Sequence, residues 1–256
     1  MPRSIWNGTI AFGLVFVPVK VYSATESKTV HFREVHAKDG SRIEHRRICP
    51  KHPKKPVEYK EIVKGYELSR NKWVELTDDE LAAAAGSQSK RLDVDHFVPA
   101  ADIAPEYYER TYYLGAQDKA KDAYALLYAA LERCERAAVG RWVFHNRERT
   151  VVIRTLEDVL ALHTMRFDDE LVDPHELEIG RVNKKPSDRE IKMASSLVDG
   201  LYTDFDPSAY HDTYRDDVLR VVKAKAEGKN IEPVADEEPE SADDLLASLE
   251  ASLAAA

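Results

Sequence analysis

The chain has 256 residues, of which 43% are apolar and 9% aromatic, enough to bury one substantial core with appendages. Charged residues make up 32%, mean hydropathy is −0.48, and no stretch approaches the ~20 apolar residues that span a bilayer, so an integral membrane protein is not expected. The net charge of −9 conceals a split: residues 1–65 carry 13 Lys+Arg against 6 Asp+Glu, residues 66–231 carry 24 against 32, and residues 232–256 carry none against 8. Positive charge able to attract phosphates is therefore concentrated at one end of the chain.

Arg3 followed by the apolar run over 10–21 has the outline of a signal peptide, but Gly13 and Pro18 interrupt it and no small-residue cleavage site follows. The run predicts a buried strand pair. Two cysteines, Cys49 and Cys134, make no disulfide framework and suit a reducing compartment, which places the protein in the cytoplasm. Between Ile5 and Trp73 the residues favour strands. The clearest is a hairpin of residues 30–37 and 41–48 around Lys38-Asp39-Gly40, where Asp-Gly supplies positive φ. Its second strand alternates Arg42, Glu44 and Arg46 with Ile43, His45 and Arg47, a solvated or ligand-facing ribbon rather than core. Residues 50–56 hold three prolines, which cannot continue a central ladder, and are expected to project as a basic loop.

Thr77-Asp78-Asp79-Glu80 is a capping-box signature opening a short alanine-rich helix. A longer helix is predicted over 118–138, with Tyr124, Leu127, Tyr128, Leu131 and Cys134 on one stripe and Cys134 read as a buried small hydrophobe. A second hairpin is expected from 141–145 and 150–154, turning around Asn146-Arg147-Glu148-Arg149. Ser187-Asp188-Arg189-Glu190 opens another helix, striped by Ile191, Ala194, Leu197, Val198 and Leu201. Asp206-Pro207 carries the chemistry of a helix start for a further helix ending near Gly228. The architecture is thus α+β, a strand-rich core followed by a helical arm.

After Asn230 the acidic run Asp236-Glu237-Glu238-Pro239-Glu240 reads as a linker. Ser241-Ala242-Asp243-Asp244 then caps a short helix with Leu245, Leu246, Leu249 and Leu253 along one side, marginal alone but able to fold on docking into a groove.

The segment Ile5-Trp6-Asn7-Gly8-Thr9-Ile10-Ala11-Phe12-Gly13-Leu14-Val15, followed by Val17-Pro18-Val19-Lys20-Val21-Tyr22-Ser23, resembles the opening of bacterial Ku proteins. The likeness continues through residues 32–36, Asp39-Gly40, Lys64-Gly65-Tyr66-Glu67, Phe97-Val98-Pro99, residues 165–174 and Tyr210-His211-Asp212-Thr213-Tyr214, nearly the whole chain. The resemblance implies a Ku-like β-barrel core with a DNA-encircling bridge over 1–180, a helical dimerisation arm over 181–230, and the acidic linker with its short helix over 231–256. It implies further that two copies form a ring on double-stranded DNA ends, and that the C-terminal segment engages an end-joining ATP-dependent DNA ligase. Many family members carry paired cysteines near Cys49; this chain has Cys49-Pro50-Lys51-His52 with no second pair, and no metal is expected.

A protein that accepts any broken end must grip phosphate and sugar rather than read bases. Arg42, Arg46, Arg47, Lys51, Lys54 and Lys55 on the first hairpin and its loop, with Arg147 and Arg149 on the turn of the second, are the candidate DNA contacts; Leu245, Leu246, Leu249 and Leu253 are the candidate partner contacts. No Gly-rich phosphate loop, nucleophile elbow or paired catalytic carboxylate appears, so no catalytic residue and no cofactor are assigned. Two other readings remain: a metal-dependent hydrolase or nuclease built on His163, Asp168, Asp169, Asp173, His175 and Glu176, and a Ku-like scaffold that has lost DNA binding.

Overall fold

In the computed structural model, residues 3–84, 90–145, 147–179 and 185–229 are described. They fall into two compact units. Met1–Ser27 with Arg33–Glu176 makes the first, and Lys28–Phe32 with the chain from Leu177 onward makes the second.

The first unit is built on seven strands whose alternating residues close into a barrel. In chain order these are β1 (Trp6–Phe12), β2 (Val15–Ser23), β7 (Arg91–Pro99), β8 (Tyr108–Ala116), β9 (Arg136–Phe144), β10 (Arg147–Leu156) and β11 (Val159–Met165). Around the barrel they run β1-β2-β8-β11-β10-β9-β7, antiparallel except for the closing pair, where Thr9–Ala11 of β1 lies parallel to Arg91–Asp93 of β7. The strand pair expected over 10–21 is β1–β2, and Phe12 facing Val15 leaves a two-residue turn. Gly13 takes φ 57° there, which a side chain would resist. The period-2 pattern sends Val17, Val19 and Val21 of β2, Leu114 of β8, Trp142 of β9, Val151 and Ile153 of β10, and Leu160 and Leu162 of β11 inward, all essentially inaccessible. Trp142 packs edge-on to Trp6 at 5.6 Å and Tyr112 at 5.7 Å and stacks on Phe144 at 4.4 Å. Its indole Nε1 has no hydrogen-bond partner, a cost the aromatic contacts offset.

One helix belongs to this core. α2 (Lys121–Cys134) contributes Leu127 and Leu131 to the same cluster as the inward strand residues. Tyr124 fastens it: its hydroxyl donates to the Leu114 carbonyl at 2.6 Å and accepts from the Leu160 amide at 2.7 Å, joining β8 and β11. The helix is shorter than the predicted 118–138, because Glu135 adopts the left-handed conformation at φ 53° and turns the chain straight into β9. Cys134, expected to be buried, is exposed at the helix's last residue, where the chain turns into β9.

Between β2 and β7 runs a long insert with almost no interior. It contains β3 (Ile48–Cys49), β4 (His52–Pro56), β5 (Lys64–Ser69), β6 (Lys72–Leu76) and α1 (Asp78–Ala84), with β3–β4 and β5–β6 as separate two-stranded ladders. From His31 to Glu75 only Cys49 and Val57 are even partly buried. The Asp39-Gly40 turn forms, with Ile43 N–H donating to Glu34 at 3.0 Å and Gly40 at φ 70°, but the flanking segments share a single bridge, Val35–Arg42. With no face to bury, neither segment is held as a strand. Residues 52–56, expected as a loop, form β4; a two-stranded ladder has only edges, which is where proline is tolerated. The capping box ahead of α1 is present, with Thr77 N–H donating to Glu80 at 2.8 Å and Glu80 N–H to Thr77 Oγ1 at 3.2 Å.

The second unit is helical. α3 (Asp188–Gly200) opens on the predicted box, Ser187 N–H donating to the Glu190 carboxylate at 2.7 Å. Asp206-Pro207 does not start the next helix; it makes a single 3-10 turn, and α4 (Thr213–Ala226) is capped instead by Asp212, which accepts from the Arg215 amide at 2.9 Å. Neither helix buries a residue fully, and Ile191, Val198, Leu201, Phe205, Tyr210, Tyr214 and Leu219 are all exposed. Among the described residues, no helix is long and apolar enough to cross a membrane.

Candidate nucleic-acid interface

Six of the eight predicted contact cations lie together on the insert: Arg42 at the bridge to Val35, Arg46 and Arg47 leading into β3, Lys51 in the β3–β4 turn, and Lys54 and Lys55 in β4. All six are exposed, and none has a carboxylate partner among the described residues. Arg47 lies over the Tyr59 ring at 5.4 Å, which orients its guanidinium without neutralising it. Two other insert lysines are paired, Lys60 with Glu58 at 2.8 Å and Lys64 with Asp78 at 3.0 Å, while Arg33, Lys38, Arg70 and Lys72 have no ion pair among the described residues. The Asp39 carboxylate is occupied by Ser41 Oγ at 2.7 Å, the Ser41 amide at 3.0 Å and His36 Nδ1 at 3.1 Å, and these hydrogen bonds, those from Ser41 foremost, hold its pKa below the ordinary value. The insert therefore presents six exposed, unpaired cations over residues 42–55, a stretch that buries almost nothing.

Arg147 and Arg149 are elsewhere. The hairpin turn falls earlier than predicted, with Arg147 facing Phe144, so both arginines sit in β10. Arg149 pairs with Glu109 at 2.9 Å, and Arg147 with Glu170 at 3.5 Å. With Arg166, whose guanidinium donates to the Glu106 and Tyr108 carbonyls, they line a cavity of about 230 Å³ whose carboxylates offset most of their charge. The structure thus does not bring them together with the insert cluster. Leu245, Leu246, Leu249 and Leu253 lie outside the described residues.

The groups of the hydrolase reading do not assemble. His163 is 4% exposed and uses both ring nitrogens: Nε2 accepts from Arg154 Nε at 3.1 Å, so Nδ1 carries the proton and donates to Thr111 Oγ1 at 3.0 Å. Burial, reinforced by the Arg154 charge, lowers its pKa to about 4. Asp168 instead accepts from Tyr107 at 2.8 Å, raising the phenol's pKa. Among the described residues no three His, Cys, Asp or Glu side chains could together hold a metal ion, Cys49 and His52 included.

The Arg154–His163 pair, with the His163 ring edge-on to Tyr108 at 4.8 Å and the guanidinium over the Tyr108 ring at 5.8 Å, is a feature that reading the sequence missed. The two residues are nine apart and meet only through the β10–β11 register, which no local pattern announces.

The described fold is thus a closed barrel carrying an insert with exposed, unpaired cations. Comparison with known proteins makes this class specific: residues 11–193 match the Ku70/Ku80 beta-barrel domain family. The chain is 38% identical over 263 residues to the non-homologous end joining protein Ku of Mycobacterium tuberculosis (strain H37Rv), covering 99% of this chain and 95% of that protein. Identity is 40% to the protein of that name from Anaeromyxobacter sp. (strain K), over 100% and 86% of the two chains, and 35% to that of Solibacter usitatus, over 100% and 95%. The chain belongs to the bacterial Ku family of non-homologous end joining.

Proposed function

We propose that this protein binds the ends of double-stranded DNA without sequence preference, as a homodimeric ring, and recruits an end-joining ATP-dependent DNA ligase to repair double-strand breaks in the bacterial cytoplasm, at the nucleoid. It acts as a binding protein and not as an enzyme. The observation that carries this reading is the cluster of six unpaired cations, Arg42, Arg46, Arg47, Lys51, Lys54 and Lys55, on an insert that buries nothing. Exposed backbone ribbons with free Lys and Arg suit phosphate contact and carry no base-reading geometry. The apolar side chains left open on α3 and α4 support dimerisation, because contiguous exposed apolar surface is costly until a second copy covers it. Residues 181–230 are accordingly proposed as the dimerisation arm, and Leu245, Leu246, Leu249 and Leu253 as the ligase contact. A gel shift comparing linear with covalently closed circular duplex tests the function. Tight binding to linear DNA alone is the expected result, and equal binding to the closed circle would refute threading onto ends.

A further inference from the structure

The barrel also carries uncompensated cations, and one of them is held in place by its neighbours. Arg154 is half-buried in β10. Its Nε donates to the buried His163, and its guanidinium lies 5.8 Å from the centre of the Tyr108 ring. His163 in turn is fixed by Thr111 at 3.0 Å. Among the described residues no carboxylate pairs with Arg154. A guanidinium that is partly removed from water, anchored by a neutral acceptor and left without a counter-ion has its remaining N–H donors free for an anion from outside.

Register supplies the rest of the surface. Tyr22 of β2 faces Tyr113 of β8, Tyr113 faces Ala161 of β11, and Ala161 faces Arg154 of β10. These residues alternate with the inward Val21, Leu114, Leu160 and Ile153, so the row points away from the barrel interior; Ala161 is itself covered, and Tyr113, Tyr22 and Arg154 carry its accessible surface. Lys20, also without an ion pair among the described residues, occupies the next outward position of β2 opposite Gly115. A strip about 14 Å across, three strand spacings, thus carries Arg154 at one side and the two tyrosines toward the other, with Lys20 one outward position further along β2 and no carboxylate in the row. Gly115 leaves just the space the Tyr22 ring fills, since a Cβ there would come within 3.1 Å of it.

We infer that this strip is a phosphate-binding face for the DNA backbone, with Arg154 and Lys20 as the contacts and His163 as the positioning residue that aims Arg154. The inference rests on the DNA-binding reading above and assigns to it a site separate from the insert. The neutral, Nδ1-protonated imidazole suits that role, because an acceptor at Nε2 orients the guanidinium without competing for its charge.

The test is a salt titration of binding to a short linear duplex. Arg154→Ala should weaken binding roughly tenfold at 100 mM salt and reduce the slope of log K against log salt by ~0.9 for each phosphate that is no longer neutralised. Arg154→Lys keeps the charge but has no Nε to engage His163; the slope should persist while affinity falls several-fold. His163→Leu should weaken binding several-fold, and His163→Gln, whose amide accepts and donates as the imidazole does, should restore it. In the Arg154→Ala background His163→Leu should add nothing, whereas a merely structural role would make the two losses additive. Circular dichroism melts establish that each variant is folded at the assay temperature, and the lysine and glutamine variants carry the test if the alanine or leucine variant is not. Wild-type binding with an unchanged slope in Arg154→Ala, or additive losses in the double variant, would overturn the site while leaving the DNA reading intact. Absence of binding by the wild type would overturn the DNA reading, and this inference with it.

Discussion

Acidification should destabilise the barrel through one residue. His163 is buried and neutral, with a folded pKa of about 4 against an ordinary value of 6.5. Above pH 6.5 both folded and unfolded chains leave the imidazole unprotonated and the residue contributes no pH dependence. Between 6.5 and 4 the unfolded chain binds a proton that the folded chain does not, so stability falls as pH falls, by at most about 1.4 kcal/mol per pH unit, and the loss levels off below 4. Integrated from pH 7 to pH 5, the cost is about 2 kcal/mol, a large part of the roughly 5 to 15 kcal/mol that holds a domain together. Urea denaturation at pH 7, 6 and 5, followed by tryptophan fluorescence, should compare the wild type with His163→Gln. The glutamine variant starts lower because it loses some packing, but the gap should narrow by about 2 kcal/mol as the pH drops, the other histidines titrating alike in both proteins. Parallel curves would mean that His163 takes up its proton in the folded barrel, and that burial does not hold the imidazole neutral.

Other expectations follow from separate features. Gly140→Ala should cost about 2 kcal/mol or more, read as a drop in melting temperature, because a Cβ there runs into the Asp93 carbonyl where β7 bulges against β9. Reversing Arg46, Arg47, Lys54 and Lys55 together should flatten the salt dependence of duplex binding by roughly 3 to 4 units of slope, and an unchanged slope would remove the insert from the interface. Leu246→Asp or Leu249→Asp should leave end binding intact and abolish stimulation of the cognate ligase, as deletion of residues 241–256 should; full ligation activity would make the tail a passive terminus. Light scattering at micromolar concentration should give twice the 29.0 kDa chain mass, and a monomer would count against the ring.

What could be read from the sequence was whatever neighbours in the chain decide. Both capping boxes, Thr77 with Glu80 and Ser187 with Glu190, are four-residue devices and form as their spacing predicts. The family and the barrel fold were legible because the resemblance spans motifs from end to end. The misreadings lie where tertiary context chooses between equal local options. Asp206-Pro207 serves a single turn as well as it would a helix, and only packing makes Asp212 the true cap. Pro53 and Pro56 exclude a central strand but not an edge, and the ladder of β3 and β4 is all edge. The local pattern puts Arg147 and Arg149 on a turn that in fact closes two residues earlier, which moves both side chains from a free loop into paired positions on β10. The Arg154–His163 contact needs the strand register, and register is not a local property.

The barrel closes where Thr9–Ala11 of β1 meets Arg91–Asp93 of β7, and that short parallel pairing sets the insert's two ends on the strands that flank β1. The closure entropy of a tied loop grows only with the logarithm of its length, so doubling the insert would cost about 0.6 kcal/mol. Its described residues from 33 to 75 bury almost nothing, so additions or deletions there disturb no barrel core. Selection can therefore lengthen or trim this segment, and exchange its cations one by one, almost without consequence for whether the barrel folds.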